Sequence, residues 1–279
     1  MNEQYRLVIT GDGTYTLFDT VLNEAMHTMS GAYEESLVKH VKVSRILETD
    51  SNNLRILDIG FGLGYNILAA LTSLLRCKPE CKIEIISLEK DNSFRKWIAQ
   101  ISFDDERRDV YEKVKKAYRV GNYSDENISI RVEFGDARNN IRNLLMSGDL
   151  FDAVFQDAYS PGKNPELWTY EYFCLIYSLM NPHAVLTTYS AAPQVRRALL
   201  EAGFNVGRAV STGLKKEGTI ASKSEVDNKL ADDDRTEIYE NIKSTVYRDE
   251  TLSDSREAIL ERRIREMKEI RENRRAHRE

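Results

Sequence analysis

The stretch Asp58-Ile59-Gly60-Phe61-Gly62-Leu63-Gly64 decides the fold. It follows the apolar run 54–57, which is short enough to be a buried strand, and precedes residues 65–71, whose apolar spacing predicts a helix. Glycines at such a turn let the backbone come within contact distance of a ligand that a Cβ atom would block. The stretch therefore predicts a strand, a ligand-binding turn and a helix, the opening unit of a nucleotide-binding α/β fold.

The acid in this turn indicates the chemistry of the ligand. Dinucleotide-binding turns follow G-x-G-x-x-G and place a pyrophosphate at the helix N-terminus. Here the pattern is D-x-G-x-G-x-G, with Asp58 two residues before the first glycine. A carboxylate at that position would repel a pyrophosphate, but it suits a cationic ligand that carries an amino acid. The simplest such ligand is S-adenosylmethionine (SAM), and the alternative is a merely tight strand–helix turn.

Length and composition narrow the class of protein. A chain of 279 residues, 41% of them hydrophobic, can bury one full α/β core. The net charge of −5 argues against blanket electrostatic binding of nucleic acid, though it leaves room for a local basic surface. No apolar run approaches the roughly 18–20 residues that span a bilayer, no Cys/His spacing suggests a metal site, and the N-terminus lacks a signal-peptide layout. We expect a cytoplasmic protein with no membrane contact and no metal.

The middle of the chain alternates between apolar runs and helical periodicity. Strands are predicted near residues 54–59, 82–88, 128–134, 151–156, 184–190 and 204–210. This alternation predicts an α/β fold with a doubly wound, mostly parallel sheet. We divide the chain into an N-terminal extension (1–50), a core (51–222) and a polar C-terminal segment (223–279).

Several segments outside the core have patterns of their own. Gly11-Asp12-Gly13 predicts a hairpin, and a helix is predicted from Gly31 to Ile46. Residues 104–120 predict a charged helical extension, and residues 224–237 a linker or loop. A long charged helix is predicted from Ser253 to Arg275. Its narrow apolar stripe comprises Leu260, Ile264, Met267 and Ile270. Its arginines could contact a phosphate backbone, but mixed charges at helical spacing favour a solvated helix docked by the stripe.

Acids at the ends of the next two strands extend the cofactor site. Glu89 closes the second strand, where a carboxylate can accept from both ribose hydroxyls. Asp136 closes the third strand and could accept from an adenine amine, cap the following helix, or do both. We expect the cofactor to contact Asp58, Gly60, Phe61, Gly62, Gly64, Asn66, Glu89, Lys90, Asp136 and Ala137.

The fourth strand leads into the segment that carries the reaction. Asp157 follows this strand directly, which places it beyond the carboxyl end of the sheet, beside the methyl group of the cofactor. Methyl transfer needs an unprotonated nucleophile held in line, and a carboxylate can orient an amine and take up its proton. Tyr159 and Trp168 offer flat faces for a base, although Trp168 is equally compatible with a core position. We predict Asp157 and Tyr159 as catalytic residues.

These residues carry a family resemblance. The run Asp157–Thr169 (DAYSPGKNPELWT), with Gly60–Asn66 before it and Thr188–Ala191 after it, resembles the methyltransferase domain of MnmC-type tRNA-modification proteins. The stretches Glu24-x-x-His27 and Gly31-Ala32-x-x-Glu35 also match, so the similarity covers roughly residues 10–222. The resemblance implies a class I SAM-dependent methyltransferase fold with Rossmann-like topology.

The resemblance also implies a reaction. The 5-aminomethyl group of wobble (2-thio)uridine in tRNA would be methylated to 5-methylaminomethyl. Fused family members carry an FAD-dependent oxidase domain as well. Because this sequence has no second glycine fingerprint, we expect the standalone form without oxidase activity. The implied partner is the tRNA anticodon loop, with a functional link to the enzymes that make the aminomethyl precursor.

Candidate substrate-binding residues surround the predicted site. Lys163, Arg196 and Lys215 could contact phosphates, although each residue alone is more often an ordinary surface charge. His27 and Glu35 could line the roof of the pocket, with a structural role as the alternative for His27.

Two other functions fit the same residues. One is a SAM-dependent enzyme that methylates a small amine, which the acidic net charge favours. The other is a SAM-binding partner subunit of a tRNA-modification complex, against which the intact Asp157 segment argues. Binding of tRNA should weaken steeply with salt, whereas binding of a small amine should not.

Overall fold

The computed structural model describes residues 4–21, 23–209 and 217–276, apart from the side chain of Glu24. The chain forms two compact units. The first comprises Met1–Asp136 and Phe151–Asp157, and the second comprises Ala137–Leu150 and Ala158–Glu279. The three-part division made from the sequence stays a prediction.

The first unit begins with the predicted hairpin. Strand β1 (Tyr5–Ile9) pairs antiparallel with β2 (Tyr15–Asp19), and the short β3 (Glu24–Ala25) pairs with β2. The hairpin prediction is confirmed.

The predicted helix from Gly31 is shorter than expected and changes its pitch. Helix α1 (Ala32–Ser36) continues as a π-helical turn over Leu37–Val41, closed by a 2.9 Å bond from Lys42 N to Leu37 O. The chain then leaves the helix, and Arg45 adopts a φ of 61°. The prediction of a helix to Ile46 is therefore wrong at its C-terminal end, because a residue in the left-handed region cannot continue a right-handed helix.

Five strands form the sheet of the first unit. They are β4 (Asn53–Ile59), β5 (Lys82–Glu89), β6 (Asn122–Ser124), β7 (Ile128–Phe134) and β8 (Phe151–Gln156), in the order β8-β4-β5-β7-β6. Strand β4 runs parallel to β5 and β8, and β7 runs parallel to β5; β6 is antiparallel. The predicted α/β fold with a mostly parallel sheet is confirmed. The sequence did not predict β6.

Three helices of this unit follow the first two long strands: α2 (Tyr65–Cys77), α3 (Arg95–Ile98) and α4 (Arg107–Val120). Helix α4 lies in the predicted charged extension, but it buries Tyr111, Val114 and Tyr118 along one face. The Tyr111 hydroxyl donates to Leu63 O at 2.9 Å. The extension is thus an integral part of the core that packs on the glycine turn.

The second unit contains both helices and strands. Its elements up to the end of the predicted core are α5 (Ala137–Met146), α6 (Tyr170–Leu179), β9 (Met180–Thr188), α7 (Pro193–Glu201), β10 (Asn205–Ala209) and β11 (Gly218–Ser222). Strand β11 lies between β10 and β9 and is antiparallel to both. The strands predicted near 184–190 and 204–210 are confirmed.

The polar C-terminal segment is more ordered than its composition predicts. Helix α8 (Asp232–Glu240) occupies part of the segment predicted to be a loop, and Leu230 before it is buried. Three aspartates, Asp232, Asp233 and Asp234, fill its first turn, where negative charge is favourable at a helix N-terminus. The loop prediction is wrong for these residues, because a run of acids at a helix N-terminus stabilises the helix and does not break it.

Helix α9 (Arg256–Ala276) confirms the predicted long helix and only part of its predicted packing face. Ser255 Oγ accepts from Ala258 N at 3.2 Å, as expected of a capping serine. Ile259 is fully buried, whereas Ile264 is 65% exposed. Arg263 also turns inward and donates to Thr245 O at 2.6 Å. Of the predicted stripe, Leu260, Met267 and Ile270 are half-buried, so the prediction is wrong only for Ile264. Within the described ranges, no helix is long and apolar enough to cross a membrane.

Candidate active site

Four strand ends of the first unit are held in line at one edge of its sheet. Ligands of open α/β sheets bind beyond the carboxyl ends of the strands, so the predicted site residues of this unit should gather here. Three backbone hydrogen bonds of 2.9 Å connect these ends: Gly60 N to Leu88 O, Gly135 N to Glu89 O, and Asp157 N to Ile59 O.

The glycines of the turn differ in what surrounds them. Gly60, Gly62 and Gly64 all have positive φ, at 96°, 54° and 80°. A Cβ added to Gly62 would meet no atom within 4 Å, so this backbone borders open space. A Cβ added to Gly64 would lie 2.6 Å from Cγ1 of Val114 and 3.0 Å from the ring of Phe61. Gly62 thus leaves room for a ligand, while Gly64 lets α4 pack against the turn.

Glu89 connects the turn to the end of the second long strand. Its Oε2 accepts from Gly62 N at 3.0 Å, and its Oε1 accepts from Asp91 N at 2.8 Å. Burial raises the pKa of Glu89, and the backbone hydrogen bonds oppose that shift. Each carboxylate oxygen can accept a second hydrogen bond, so Glu89 can still bind ligand hydroxyls. The neighbouring Lys90 is exposed.

Asn66 joins two carboxylates beside the turn. Its Nδ2 donates to Asp58 Oδ1 at 3.2 Å and to Asp157 Oδ2 at 3.0 Å. Two carboxylate acceptors fix the orientation of the amide, because only the nitrogen can donate. Asn66 Oδ1 is buried and has no hydrogen-bond partner among the described residues. A buried acceptor without a donor costs about 1–3 kcal/mol, and a ligand ammonium would satisfy it.

Asp58 is the buried carboxylate of the two that accept from Asn66. Its carboxylate has no exposed surface, and Ser87 Oγ donates to its Oδ2 at 2.5 Å. Burial raises the pKa of Asp58 to about 7, although the hydrogen bonds from Ser87 and Asn66 oppose the shift. Direct contact between Asp58 and the cofactor stays a prediction. Asp58 holds Asn66, whose buried Oδ1 has no hydrogen-bond partner among the described residues.

Asp157 is the accessible carboxylate of the pair. Its side chain is 23% exposed. Burial raises its pKa, but the nearby His40, the Asn66 hydrogen bond and the charge of His27 outweigh it and lower the pKa below the ordinary value. Asp157 is thus ionised at neutral pH and can accept a hydrogen bond from an amine.

Two histidines lie near Asp157. His40 Nε2 is 3.6 Å from Asp157 Oδ1, and its side chain is only 2% exposed. His27 Nδ1 lies 3.0 Å from Thr16 Oγ1; burial lowers the pKa of His27, against the charges of Asp157 and Glu35. His27 therefore belongs to the electrostatic surroundings of the carboxylate and also has a structural partner.

Three other predicted residues lie at different positions around the site. Glu35 Oε2 accepts from Thr28 N at 2.7 Å, which ties down the loop before α1. The Phe61 ring is buried against Tyr118, at 4.8 Å between centroids, and its contact with the cofactor stays a prediction. Asp136 is half-buried directly before the buried Ala137, the first residue of α5.

The predicted base platform lies in the second unit and divides into one exposed and one buried ring. Tyr159 is 38% exposed, whereas Trp168 is fully buried. Trp168 Nε1 donates to Tyr159 O at 2.8 Å, and its ring packs edge-on against Tyr189. The prediction that Trp168 stacks on a base is wrong, because both faces of the indole are enclosed by the core.

The three residues predicted to contact phosphates have different surroundings. Arg196 is buried, forms an ion pair with Glu217 and donates to Thr219 Oγ1 at 3.1 Å. It is a structural residue, and the phosphate prediction for it is wrong because its charge is already paired. Lys163 is half-buried. Lys215 lies outside the described residues.

Sequence reasoning missed His40 and Ser87. Neither stands in a recognisable motif, and each reaches the site through a contact with a residue distant in the chain. His40 lies on a π-helical turn, and such turns are frequent at functional sites. The backbone conformation, which the sequence does not reveal, is therefore what draws attention to this residue. Among the described residues, no cluster of His, Cys, Asp and Glu side chains could hold a metal ion.

The site fits SAM, with open space over Gly62, a free acceptor on Asn66 and a carboxylate at Glu89. Residues 101–224 match a family described as S-adenosyl-L-methionine-dependent methyltransferases. The chain is a SAM-dependent methyltransferase, and the predicted cofactor is confirmed.

The particular family follows from its relatives. The crystal structure of MnmC2 from Aquifex aeolicus is 34% identical, with a TM-score of 0.86 over 96% of this chain and 87% of that one. The uncharacterized protein MJ0670 of Methanocaldococcus jannaschii is 33% identical over 98% of this chain and 75% of that protein. The chain belongs to the MnmC2 family, which confirms the resemblance seen in the sequence.

A further relative is longer. The tRNA 5-methylaminomethyl-2-thiouridine biosynthesis bifunctional protein MnmC of Pseudomonas savastanoi pv. phaseolicola is 30% identical over 60% of this chain. The matched part spans only 26% of that protein's length.

Proposed function

We propose that the protein methylates the 5-aminomethyl group of wobble (2-thio)uridine in tRNA, giving 5-methylaminomethyl. The substrate class, tRNA, is suggested by the names of the MnmC relatives. We propose only the methyl-transfer step for this chain. A tRNA substrate would place the reaction in the cytoplasm.

The observation that carries the proposal is the accessible, ionised Asp157 carboxylate beside the cofactor turn. SAM supplies a methyl group on a sulfonium, which transfers to a nucleophile held in line. An aminomethyl group is mostly protonated at neutral pH and must lose a proton before its lone pair can react. Asp157 accepts a hydrogen bond from that amine and orients it, while Asn66 holds the carboxylate in place.

Two residues of the segment that follows Asp157, Tyr159 and Lys163, are proposed to hold the substrate. Tyr159 is exposed and follows Asp157 by two residues, so its ring is available to an unstacked base. Lys163 lies four residues further along the same segment and is the remaining described candidate for a phosphate contact.

The test is methyl transfer under single-turnover conditions, with tRNA from cells that lack this methyltransferase and nucleoside mass spectrometry as the readout. Asp157→Ala should leave affinity for S-adenosylhomocysteine within a few-fold and lower the rate by roughly 10²–10⁴. Asp157→Asn should keep part of the orientation, and raising the pH should partly restore its rate, because more of the free amine is then unprotonated.

Asp232→Ala is the control, since that side chain is fully exposed on α8. A normal rate in Asp157→Ala would show that another group orients the amine. Methylation of a polyamine but not of the tRNA would instead assign the small-amine activity, and no methylation of any amine would favour the partner-subunit function.

A further inference from the structure

Helix α9 begins against the segment that we propose to hold the substrate. The guanidinium of Arg256, its first residue, donates to Gly162 O at 3.4 Å, and the helix packs on the turn Pro165–Trp168. The helix then runs for 21 residues. Its last turn therefore lies about 30 Å from its first residue. A substrate held at Tyr159 and Lys163 can reach that far only if it is itself a large molecule.

Three arginines of α9 have their charge used within the second unit. Arg263 donates to Thr245 O at 2.6 Å, and Arg262 forms an ion pair with Asp254 at 2.6 Å. Arg274 donates to a backbone carbonyl oxygen at 2.6 Å. These contacts hold the helix in place, so these three residues are not the ones that a partner would find exposed and unpaired.

A second set of cations lies on the outer side of the helix. Lys268, Arg271 and Arg275 are exposed. At 3.6 residues per turn they fall within about 60° of one another around the helix axis. Arg271 and Arg275 have no hydrogen bond or ion pair among the described residues. Lys268 Nζ lies 3.8 Å from Glu272 Oε1, and an exposed pair of this kind is weak. We call these three cations the outer cationic row.

The helix is a basic part of an acidic protein. It carries eight arginine and lysine residues against five glutamates, a local charge of +3, whereas the whole chain has a net charge of −5. The protein as a whole repels a polyanion, so a phosphate backbone needs a local row of exposed cations.

The apolar residues of α9 favour RNA over an anionic lipid surface. A helix that lies in a membrane interface exposes an apolar face. In α9 the apolar side faces the protein, where Ile259 is fully buried. Among the described residues of this helix, Ile264 is the single large apolar side chain that is exposed.

We propose that the outer cationic row of α9 binds the phosphate backbone of the RNA stem that adjoins the anticodon loop. The inference rests on the proposed tRNA substrate. It adds a second point of contact, about 18–28 Å along the helix from Arg256. Phosphate contacts position a nucleic acid without reading its sequence, so the row should raise affinity for any tRNA that presents such a stem.

The test compares the parent enzyme with the double variant Arg271→Gln, Arg275→Gln on two substrates. One is whole tRNA, and the other is a single-stranded anticodon-loop oligonucleotide with the same aminomethyluridine. We expect the tRNA KM to rise at least about fivefold, and each lost phosphate contact to reduce the magnitude of the salt slope by roughly 0.7–0.9. The KM for the oligonucleotide and the affinity for S-adenosylhomocysteine should stay within about twofold, because neither ligand reaches the row.

The matched control is Arg235→Gln on α8. This arginine is exposed in the same unit, 3.7 Å from Asp232, and lies outside the row. It should leave the tRNA KM and the salt slope unchanged, and all variants should keep the melting temperature of the parent, since the substitutions are on the surface. An unchanged tRNA KM in the double variant, or an equal rise in KM for both substrates, would overturn the proposal.

Binding of unmodified tRNA, measured by fluorescence anisotropy, separates this inference from the proposed reaction. If the parent binds tRNA but methylates only a small amine, the proposed substrate fails, while weaker binding by the double variant would still support the row. No binding of tRNA by the parent would overturn the inference itself. If the double variant loses sedimentation with phosphatidylserine vesicles but binds tRNA as the parent does, the row contacts lipid and the RNA contact is refuted.

Discussion

Replacing Gly62 by alanine should separate cofactor binding from folding. The φ of Gly62 is 54°, and an added Cβ would meet no protein atom within 4 Å. The left-handed backbone costs a residue with a Cβ roughly 1–2 kcal/mol, and no clash adds to that cost. The new methyl group would occupy space that we assign to SAM. We therefore expect a modest loss of stability and at least about tenfold weaker binding of S-adenosylhomocysteine, equivalent to about 1.4 kcal/mol.

Gly64 provides the matched comparison two residues away. Its φ is 80°, and an added Cβ would lie 2.6 Å from Cγ1 of Val114, a buried and conformationally stiff side chain. Overpacking of this kind costs about 1–3 kcal/mol in addition to about 1–2 kcal/mol for the backbone, so Gly64→Ala should lose roughly 2–5 kcal/mol. The double variant Gly64→Ala, Val114→Ala should regain part of the loss, because the clashing methyl is gone.

Urea unfolding and titration calorimetry with S-adenosylhomocysteine measure the two effects on the same variants. We expect Gly62→Ala to bind S-adenosylhomocysteine more weakly than Gly64→Ala does, and Gly64→Ala to be the less stable protein. Binding within twofold of the parent in Gly62→Ala would refute the position assigned to the ligand. A Gly64→Ala protein as stable as Gly62→Ala would refute the packing argument.

Two further predictions concern a buried acid and the C-terminal helix. Burial raises the pKa of Asp58 from 3.8 to about 7, so the folded protein retains a proton that the unfolded chain has lost. The free energy of unfolding should consequently fall between pH 4 and 7 by as much as about 4 kcal/mol (three pKa units), and urea unfolding of Asp58→Asn should show a flatter profile. For α9, Ile259→Ala should destabilise by about 2–5 kcal/mol, while Ile264→Ala should stay within about 0.5 kcal/mol in the same assay. Equal effects of the two changes would contradict the observed packing face.

The glycine turn and the long strands could be predicted because their signals are local. Each strand is one apolar run, and Asp58–Gly64 is a contiguous pattern in which spacing alone indicates the turn. The position of Glu89 followed from the order of the βα units, and the structure brings it to Gly62 N. These predictions needed no knowledge of which residues meet in three dimensions.

The errors arose where exposure depends on a distant partner. Trp168 and Arg196 belong to residue types that often contact nucleic acid. In the structure, however, Trp168 packs against Tyr189, and Glu217 neutralises the charge of Arg196. In α9, Ile259 and Ile264 are five residues apart, so they lie on different faces of the helix. The predicted stripe contains Ile264 and not Ile259, and only tertiary contacts decide that Ile259 is the buried one.

Asn66 is the residue that gives its two neighbouring acids different roles. Both Asp58 and Asp157 accept from the same amide nitrogen, yet burial raises the pKa of Asp58 to about 7, while His40 and its neighbours lower that of Asp157. When the surroundings of two acids shift their pKa values in opposite directions, one acid can hold a proton while the other stays charged in the same site. Asp58 can hold a proton where no substrate reaches, and Asp157 stays charged where an amine can. The accessible acid is therefore the one equipped to orient a nucleophile, and the buried acid keeps the amide in place.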